Sequence, residues 1–263
     1  MDENKKVEKS QVSSSQQLIS RRNLLGVFGG AAVLSGVGLS LFALPTYGKA
    51  PSDFDILNFA LNLEYLEAEF YTYALTGRGI ESIGIATDGE GTAGATTGGR
   101  KVEFSDPMLR KIAEELAFDE QQHVKLLRSV LGKKAIAKPA LNLGAMGMGF
   151  GSEAEYLMLG RSMEDTGISA YGGAAPLIKS KEVLTVAARI LADEAYHMGN
   201  VRLLIAQRNI QTKPVDSKDI LPPPTGRKFF AVDDNALSVV RTTAEVMPIV
   251  KPFYPNGLNG AIK

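Results

Sequence analysis

The chain has 263 residues, with 29 basic side chains (Lys and Arg), 29 acidic side chains (Asp and Glu), two histidines and no cysteine. A formal net charge of zero gives no overall field that would attract nucleic acid, and the lack of cysteine excludes disulfides and thiolate metal ligands. The sequence also shows no Gly-rich phosphate loop, nucleophile elbow or dinucleotide fingerprint in a suitable context, so no site of these kinds is predicted.

Residues 1–50 are predicted to direct export. Arg21 and Arg22 precede an uncharged, largely apolar run from Asn23 to Gly48. This arrangement resembles a twin-arginine signal, which implies the twin-arginine export machinery as a partner and a periplasmic or other extracytoplasmic location. An ordinary membrane helix with positive flanks is the alternative. Cleavage near Gly48 and retention of the segment as an uncleaved N-terminal anchor are both compatible with the sequence.

The rest of the chain predicts an all-α bundle over residues 51–210, followed by a C-terminal extension over residues 211–263. Capping residues, helix-breaking glycines and prolines, and apolar periodicity locate the helices. The predicted helices cover Asp53 to Thr76, Pro107 to Gly132, Ser152 to about Gly173, and Ser180 to Asn209, with a short fifth helix over Asn235 to Val246.

Two long connections and the extension complete this organisation. Residues 77–104 are rich in Gly and Thr, which indicates either a plain solvated loop or a flexible lid or partner loop. Residues 132–151 must carry the chain along the bundle as a long crossover. The extension is predicted to wrap the bundle and to cover one end of it or form a homo-oligomer contact; its aromatic residues are Phe229, Phe230, Phe253 and Tyr254.

Both histidines close the same kind of pentad. The first pentad runs from Asp119 to His123 and contains Glu120; the second runs from Asp193 to His197 and contains Glu194. Glu and His three residues apart share a helix face, and here they replace core residues on apolar stripes. Because a carboxylate that points into a core is costly without a cation, the two pentads predict a metal site.

A dinuclear site in a four-helix bundle needs one further glutamate from each of two other helices. Glu64 and Glu164 lie one hundred positions apart, and each is followed seven residues later by a tyrosine, Tyr71 or Tyr171. Glu67 is an alternative ligand, although its counterpart in the second half is Gly167. The predicted ligands are therefore Glu64, Glu120, His123, Glu164, Glu194 and His197. The four pentad residues are predicted to be terminal ligands, with Glu64 and Glu164 bridging or capping the two ions.

Oxygen-rich ligation with two imidazoles suits two iron or two manganese ions, with zinc as an alternative. Asp119 and Asp193 are predicted to accept a hydrogen bond from the histidine of the opposite pentad, or else to be surface charges. Tyr71 and Tyr171 either hydrogen-bond the cluster, relay an electron or are packing residues. The carboxylates of Glu69, Glu153 and Glu155 are predicted to be solvated.

The order of these ligands resembles the ferritin-like superfamily. Within it, the phrases from Leu61 to Tyr71 and from Phe253 to Gly260 look like the ferritin-like domain of desiccation-related proteins, over residues 52 to 263. The resemblance implies a ferritin-like four-helix bundle with a dinuclear site, associated with stress. We expect redox chemistry on a small oxidant such as peroxide or oxygen. The alternatives are a non-catalytic stress protein with a structural metal site, and iron binding or storage.

Overall fold

The structure is a computed structural model that describes residues 50–262. The predicted export segment lies outside the described residues, apart from its last position. Within residues 50–262, no helix has both the length and the apolar character needed to cross a bilayer.

The described chain folds as four long helices and one short helix, as predicted. The helices are α1 (Asp53–Thr76), α2 (Pro107–Leu131), α3 (Glu153–Ala174), α4 (Lys181–Gln207) and α5 (Thr243–Val250). Helix α1 packs mainly on α2 and α3 packs mainly on α4, and these two pairs form the bundle. The predicted all-α four-helix bundle with a long crossover, a short fifth helix and an irregular C-terminal tail is confirmed.

Local capping explains where the long helices begin. Ser52 and Asp55 form a capping box at the start of α1, and the Asp106 side chain accepts from two backbone N–H groups at the start of α2. Ser152 and Ser180 accept similarly at α3 and α4. These side chains satisfy backbone donors that have no partner inside the helix, which fixes the first turn of each helix.

Helix α1 is buried on nearly every side because the bundle covers one face and the crossover and tail cover the other. Asn58 donates to the Lys134 carbonyl and accepts from the Ile136 backbone N–H. The Tyr254 hydroxyl donates to the Asn62 carbonyl at 2.7 Å. Tyr254 of the C-terminal extension is thus buried against α1, whereas Phe229 and Phe230 are exposed.

The Gly/Thr-rich segment 77–104 packs on the crossover, which argues against a free lid. Strand β1 (Thr96–Thr97) pairs in parallel with strand β2 (Leu141–Asn142). A Cβ atom at Gly89 would lie 2.2 Å from the Ala135 carbonyl oxygen, and one at Gly94 would lie 2.3 Å from the Ala140 nitrogen. Glycine recurs here because two backbones approach each other closely.

Glu69 corrects a prediction, because it is buried instead of solvated. Its Oε1 lies 3.1 Å from Nζ of Lys138, which is also buried. Lys138 further donates to the Gly94 carbonyl and the Thr96 hydroxyl. This ion pair therefore joins α1, the 77–104 segment and the crossover. The sequence gives no sign of it, since both residues look like ordinary surface charges.

Glu153 and Glu155 are also engaged in capping interactions. Glu153 accepts from the backbone N–H groups of Ser105 and Asp106, and Glu155 accepts from those of Gly149 and Gly151. Their carboxylates therefore hold loop ends at the start of α2 and α3 and are not simply solvated.

The short fifth helix lies later than predicted. Helix α5 covers Thr243–Val250, whereas the prediction was Asn235 to Val246. Asp233 accepts from the backbone N–H groups of Asn235 and Leu237, which closes a turn where a helix was expected. Thr242 and Glu245 then form a capping box that starts α5. The competing hydrogen bonds to the Asp233 side chain thus shift the helix start toward the C-terminus.

Buried arginines fasten the extension to α3 and α4. The Arg202 guanidinium donates a hydrogen bond to Asp165 Oδ2 at 2.7 Å. It also donates to three backbone carbonyls of the extension, those of Ile220, Lys228 and Phe229. Arg161 bonds Asp219 of the extension at 2.7 Å. Both buried guanidinium groups therefore have carboxylate partners, as a stable interior requires.

Candidate metal centre

The structure brings all six predicted ligands together in the middle of the bundle. One glutamate comes from α1 and one from α3, and a glutamate with a histidine comes from each of α2 and α4. All six side chains are buried.

The ligand atoms form two overlapping groups, in each of which all atoms lie within 4.8 Å of one another. One group contains Glu64 and His123, and the other contains Glu164 and His197. Glu120 and Glu194 belong to both groups. This arrangement suits two ions side by side, with the pentad glutamates shared between them. Glu64 and Glu164 each serve one group, which favours capping over bridging.

Each histidine turns its two ring nitrogens in opposite directions. His123 Nδ1 lies 3.2 Å from Glu64 Oε2 and 3.3 Å from Glu120 Oε2, whereas Nε2 lies 3.2 Å from Asp193 Oδ2. His197 Nδ1 lies 2.9 Å from Glu120 Oε1, and its Nε2 lies 3.3 Å from Asp119 Oδ2. Nδ1 is therefore the atom available to a metal, and Nε2–H can donate to an aspartate.

The aspartates and tyrosines link the two halves of the chain. Asp193 lies against the histidine of the first pentad and Asp119 against that of the second, and Asp193 Oδ2 is also 3.6 Å from His197 Nε2. Tyr71 donates a hydrogen bond to Glu164, and Tyr171 donates one to Glu64. Each tyrosine thus holds one oxygen of the capping glutamate from the opposite half.

Glu67 lies beside the cluster but belongs to neither group of ligand atoms. A Cβ atom placed on Gly167 would lie 3.0 Å from Glu67 Oε1 and 2.7 Å from Glu194 Oε2. The glycine at the second-half counterpart of Glu67 therefore leaves the space that both carboxylates need. This requirement for space is the physical reason why the internal repeat breaks at this pair.

Burial and mutual repulsion strongly change the pKa values of the carboxyl groups in the cluster. Burial raises the pKa of Glu64 to about 7, and burial with the neighbouring carboxylates raises the pKa of Glu194 well above its usual range. Burial also acts on Glu120, but the neighbouring imidazoles of His123 and His197 hold its pKa below the ordinary value. Burial opposes protonation of His123, yet Glu64 and Glu120 raise its pKa to about 12. Without a metal, the imidazoles are thus the main counter-charges.

Five buried carboxylate oxygens of the predicted ligands lack a hydrogen-bond partner among the described residues. They are Glu64 Oε2, Glu120 Oε1, Glu164 Oε2 and both carboxylate oxygens of Glu194. Buried polar atoms are nearly always satisfied in folded proteins, so unpartnered oxygens that converge on one point indicate a binding site for cations. The set of four carboxylates and two imidazoles fits two divalent ions and balances their charge.

A four-helix bundle with two glutamates and two Glu-x-x-His motifs facing inward defines a class of carboxylate-bridged dinuclear proteins. Residues 52–207, more than half of the chain, match the family described as the ferritin-like domain. The chain therefore belongs to the ferritin-like family.

Two curated relatives are similar to this chain. Desiccation-related protein PCC13-62 of Craterostigma plantagineum is 30% identical over 176 residues, which cover 60% of this chain and 54% of that protein. Ferritin-like catalase Nec2 of Nesocodon mauritianus is 23% identical over 278 aligned positions, which cover 83% of this chain and 87% of that protein. The chain thus spans about half the length of the first relative and most of the second.

Proposed function

We propose that this protein binds two iron or two manganese ions and uses them to break down hydrogen peroxide in an extracytoplasmic compartment, as protection against oxidative stress. The observation that carries the proposal is the convergence of unpartnered carboxylate oxygens and two inward Nδ1 atoms on one buried point. Similarity to a protein named a ferritin-like catalase supports peroxide over dioxygen as the oxidant.

Two redox-active ions held side by side would exchange electrons with peroxide. The side chains of the cluster would hold and orient the ions. Glu120 and Glu194 would hold both ions at a fixed separation, while Tyr71 and Tyr171 would orient the capping glutamates through their hydrogen bonds. The buried cluster would exclude bulk water, and two molecules of peroxide would yield two of water and one of oxygen without an external electron donor.

The test compares full-length protein loaded with iron or manganese, the Glu194→Ala variant and the Glu115→Ala variant. Glu115 is an exposed carboxylate on α2 and serves as the matched control. We expect oxygen release from peroxide in the wild type and the control, and only the background of metal-free protein in Glu194→Ala. Equal rates in all three proteins would refute the proposal.

A structural role for the ions is the second candidate, because the unpartnered buried oxygens make the metal-free state unfavourable. Binding to the native state alone stabilises a protein by mass action. The same loaded samples are therefore melted with and without a chelator. A large loss of melting temperature together with no oxygen release would favour the structural role over peroxide chemistry.

A further inference from the structure

A cavity of about 30 Å³ lies beside the metal centre, between α1, α3 and α5. Its walls are almost entirely apolar and include Leu66, Met163 and Phe253. Ser162 and Ile249, which also line it, are partly exposed and mark its outer end. The C-terminal extension thus supplies one wall, through α5 and Phe253.

The inner end of the cavity lies close to the predicted metal ligands, although none of the six lines it. Glu67 and Gly167 line it, and Glu194 Oε2 lies immediately behind Gly167. Glu67 is only 4% exposed, and no side chain or backbone group of the described residues donates a hydrogen bond to it. A buried carboxyl group without a partner, at the end of an apolar cavity, indicates a ligand that is not part of the protein.

The opposite side of the centre does not offer a comparable path. Asp119 and Asp193 are 26% and 37% exposed in their side chains, but the two imidazoles stand between them and the glutamates. Both Nε2 atoms are directed at these aspartates. A molecule arriving there meets the histidines first, whereas one arriving past Ile249 meets Glu67, and Glu194 Oε2 lies beyond Gly167.

We propose that this cavity admits hydrogen peroxide to the metal centre and that Glu67 is its first hydrogen-bond partner inside the protein. This inference rests on the proposed function. A volume of about 30 Å³ holds roughly two water-sized groups, which matches the two oxygens of hydrogen peroxide and excludes a branched organic hydroperoxide. The apolar walls penalise ions. Peroxide both donates and accepts hydrogen bonds, so it satisfies Glu67, whereas dioxygen donates none.

This route through the cavity to the metal centre is tested by narrowing the outer end of the cavity. Ile249→Trp adds bulk at the mouth, and Ala244→Trp adds the same side chain at a position of α5 that does not line the cavity. Each full-length protein is loaded with iron(II) without oxygen, its metal content is measured, and binding of nitric oxide is followed by stopped-flow absorbance. Nitric oxide is a neutral diatomic probe, and its binding does not depend on turnover.

We expect nitric oxide to bind about tenfold more slowly in Ile249→Trp, which corresponds to about 1.4 kcal/mol added to the barrier for access. Ala244→Trp should bind it at the wild-type rate. Equal rates in all three proteins would overturn the route.

The role of Glu67 is tested with Glu67→Gln and Glu67→Leu. Both variants should hold two ions per chain and bind nitric oxide as the wild type does. Glu67→Gln should keep most of the peroxide-degrading activity of the wild type, and Glu67→Leu should lose it. Loss of metal in either variant, or full activity in Glu67→Leu, would overturn the assignment, as would turnover of tert-butyl hydroperoxide. If wild-type protein binds nitric oxide through this route but does not consume peroxide, the route stands and the proposed function fails.

Discussion

Each histidine of the centre presents one nitrogen to the carboxylates and the other to an aspartate. Because an Asp carboxylate accepts a hydrogen bond from Nε2–H, it fixes the tautomer and leaves the Nδ1 lone pair directed at the glutamate cluster. The aspartates therefore act through the histidines. Their partial exposure means that they can be changed without opening a cavity in the core.

Asp193→Asn is expected to weaken metal binding by about 10- to 100-fold, because the acceptor loses its charge and no longer orients His123. The measurement is a competition titration with a chromophoric chelator. Glu115→Gln removes an exposed carboxylate from α2 and should leave the affinity unchanged. An Asp193→Asn variant with wild-type affinity would show that the contact with His123 is incidental.

The candidate site could be predicted at the residue scale because glutamate and histidine at helical spacing, on apolar stripes, are costly to bury unless a cation binds them. Which glutamates bridge could not be predicted, since bridging depends on the separation of helices that the sequence does not specify. The position of Glu67 was equally hidden. Only the mismatch between Glu67 and Gly167 in the repeat signalled that this pair differs from the others.

Helix α1 is packed on nearly every side by other parts of the described chain. It is covered on the side away from the bundle by the crossover and the C-terminal segment, which explains why its residues are buried almost without periodicity. The ion pair between Glu69 and Lys138 lies within that covering layer. Both charges are fully buried, so the loss of one partner would leave the other charge uncompensated.

Lys138→Met should therefore lower the free energy of unfolding by about 3–5 kcal/mol, as measured by urea denaturation. Lys101→Met is the control, because Lys101 lies 3.7 Å from Glu103 in an exposed pair. Such exposed pairs contribute about 0–1 kcal/mol. Similar losses in the two variants would mean that the buried pair is no more important than a surface pair.

Helix boundaries followed from capping residues wherever no other polar group competed for the backbone. The start of α1 at Asp53 and that of α2 at Pro107 are of this kind. The predicted bounds of α5 were wrong because Asp233 captures two backbone N–H groups upstream. The packing of 77–104 on the crossover was missed for a different reason: it depends on close backbone contacts far apart in the sequence, which composition does not reveal.

Each of the two sequence halves supplies side chains that contact the predicted metal ligands of the other half. Tyr71 bonds Glu164 and Tyr171 bonds Glu64, and each pentad histidine lies against the aspartate of the other pentad. Neither half contains a complete set of contacts for its own ligands. The cluster of predicted ligands can therefore form only after both halves have folded together.

This dependence bears on the export signal that is predicted from the paired Arg21 and Arg22 ahead of the apolar run. A route that carries folded proteins would let the bundle close around its ions before it meets competing metals outside the cytoplasm. Arg21→Lys combined with Arg22→Lys should hold the full-length protein in the cytoplasmic fraction, as measured by cell fractionation. The control changes two exposed arginines of the described domain, Arg100→Lys and Arg227→Lys, and should not alter the distribution. Unchanged export of the first variant would contradict twin-arginine transport, and the bundle would then have to acquire its ions by another order of events.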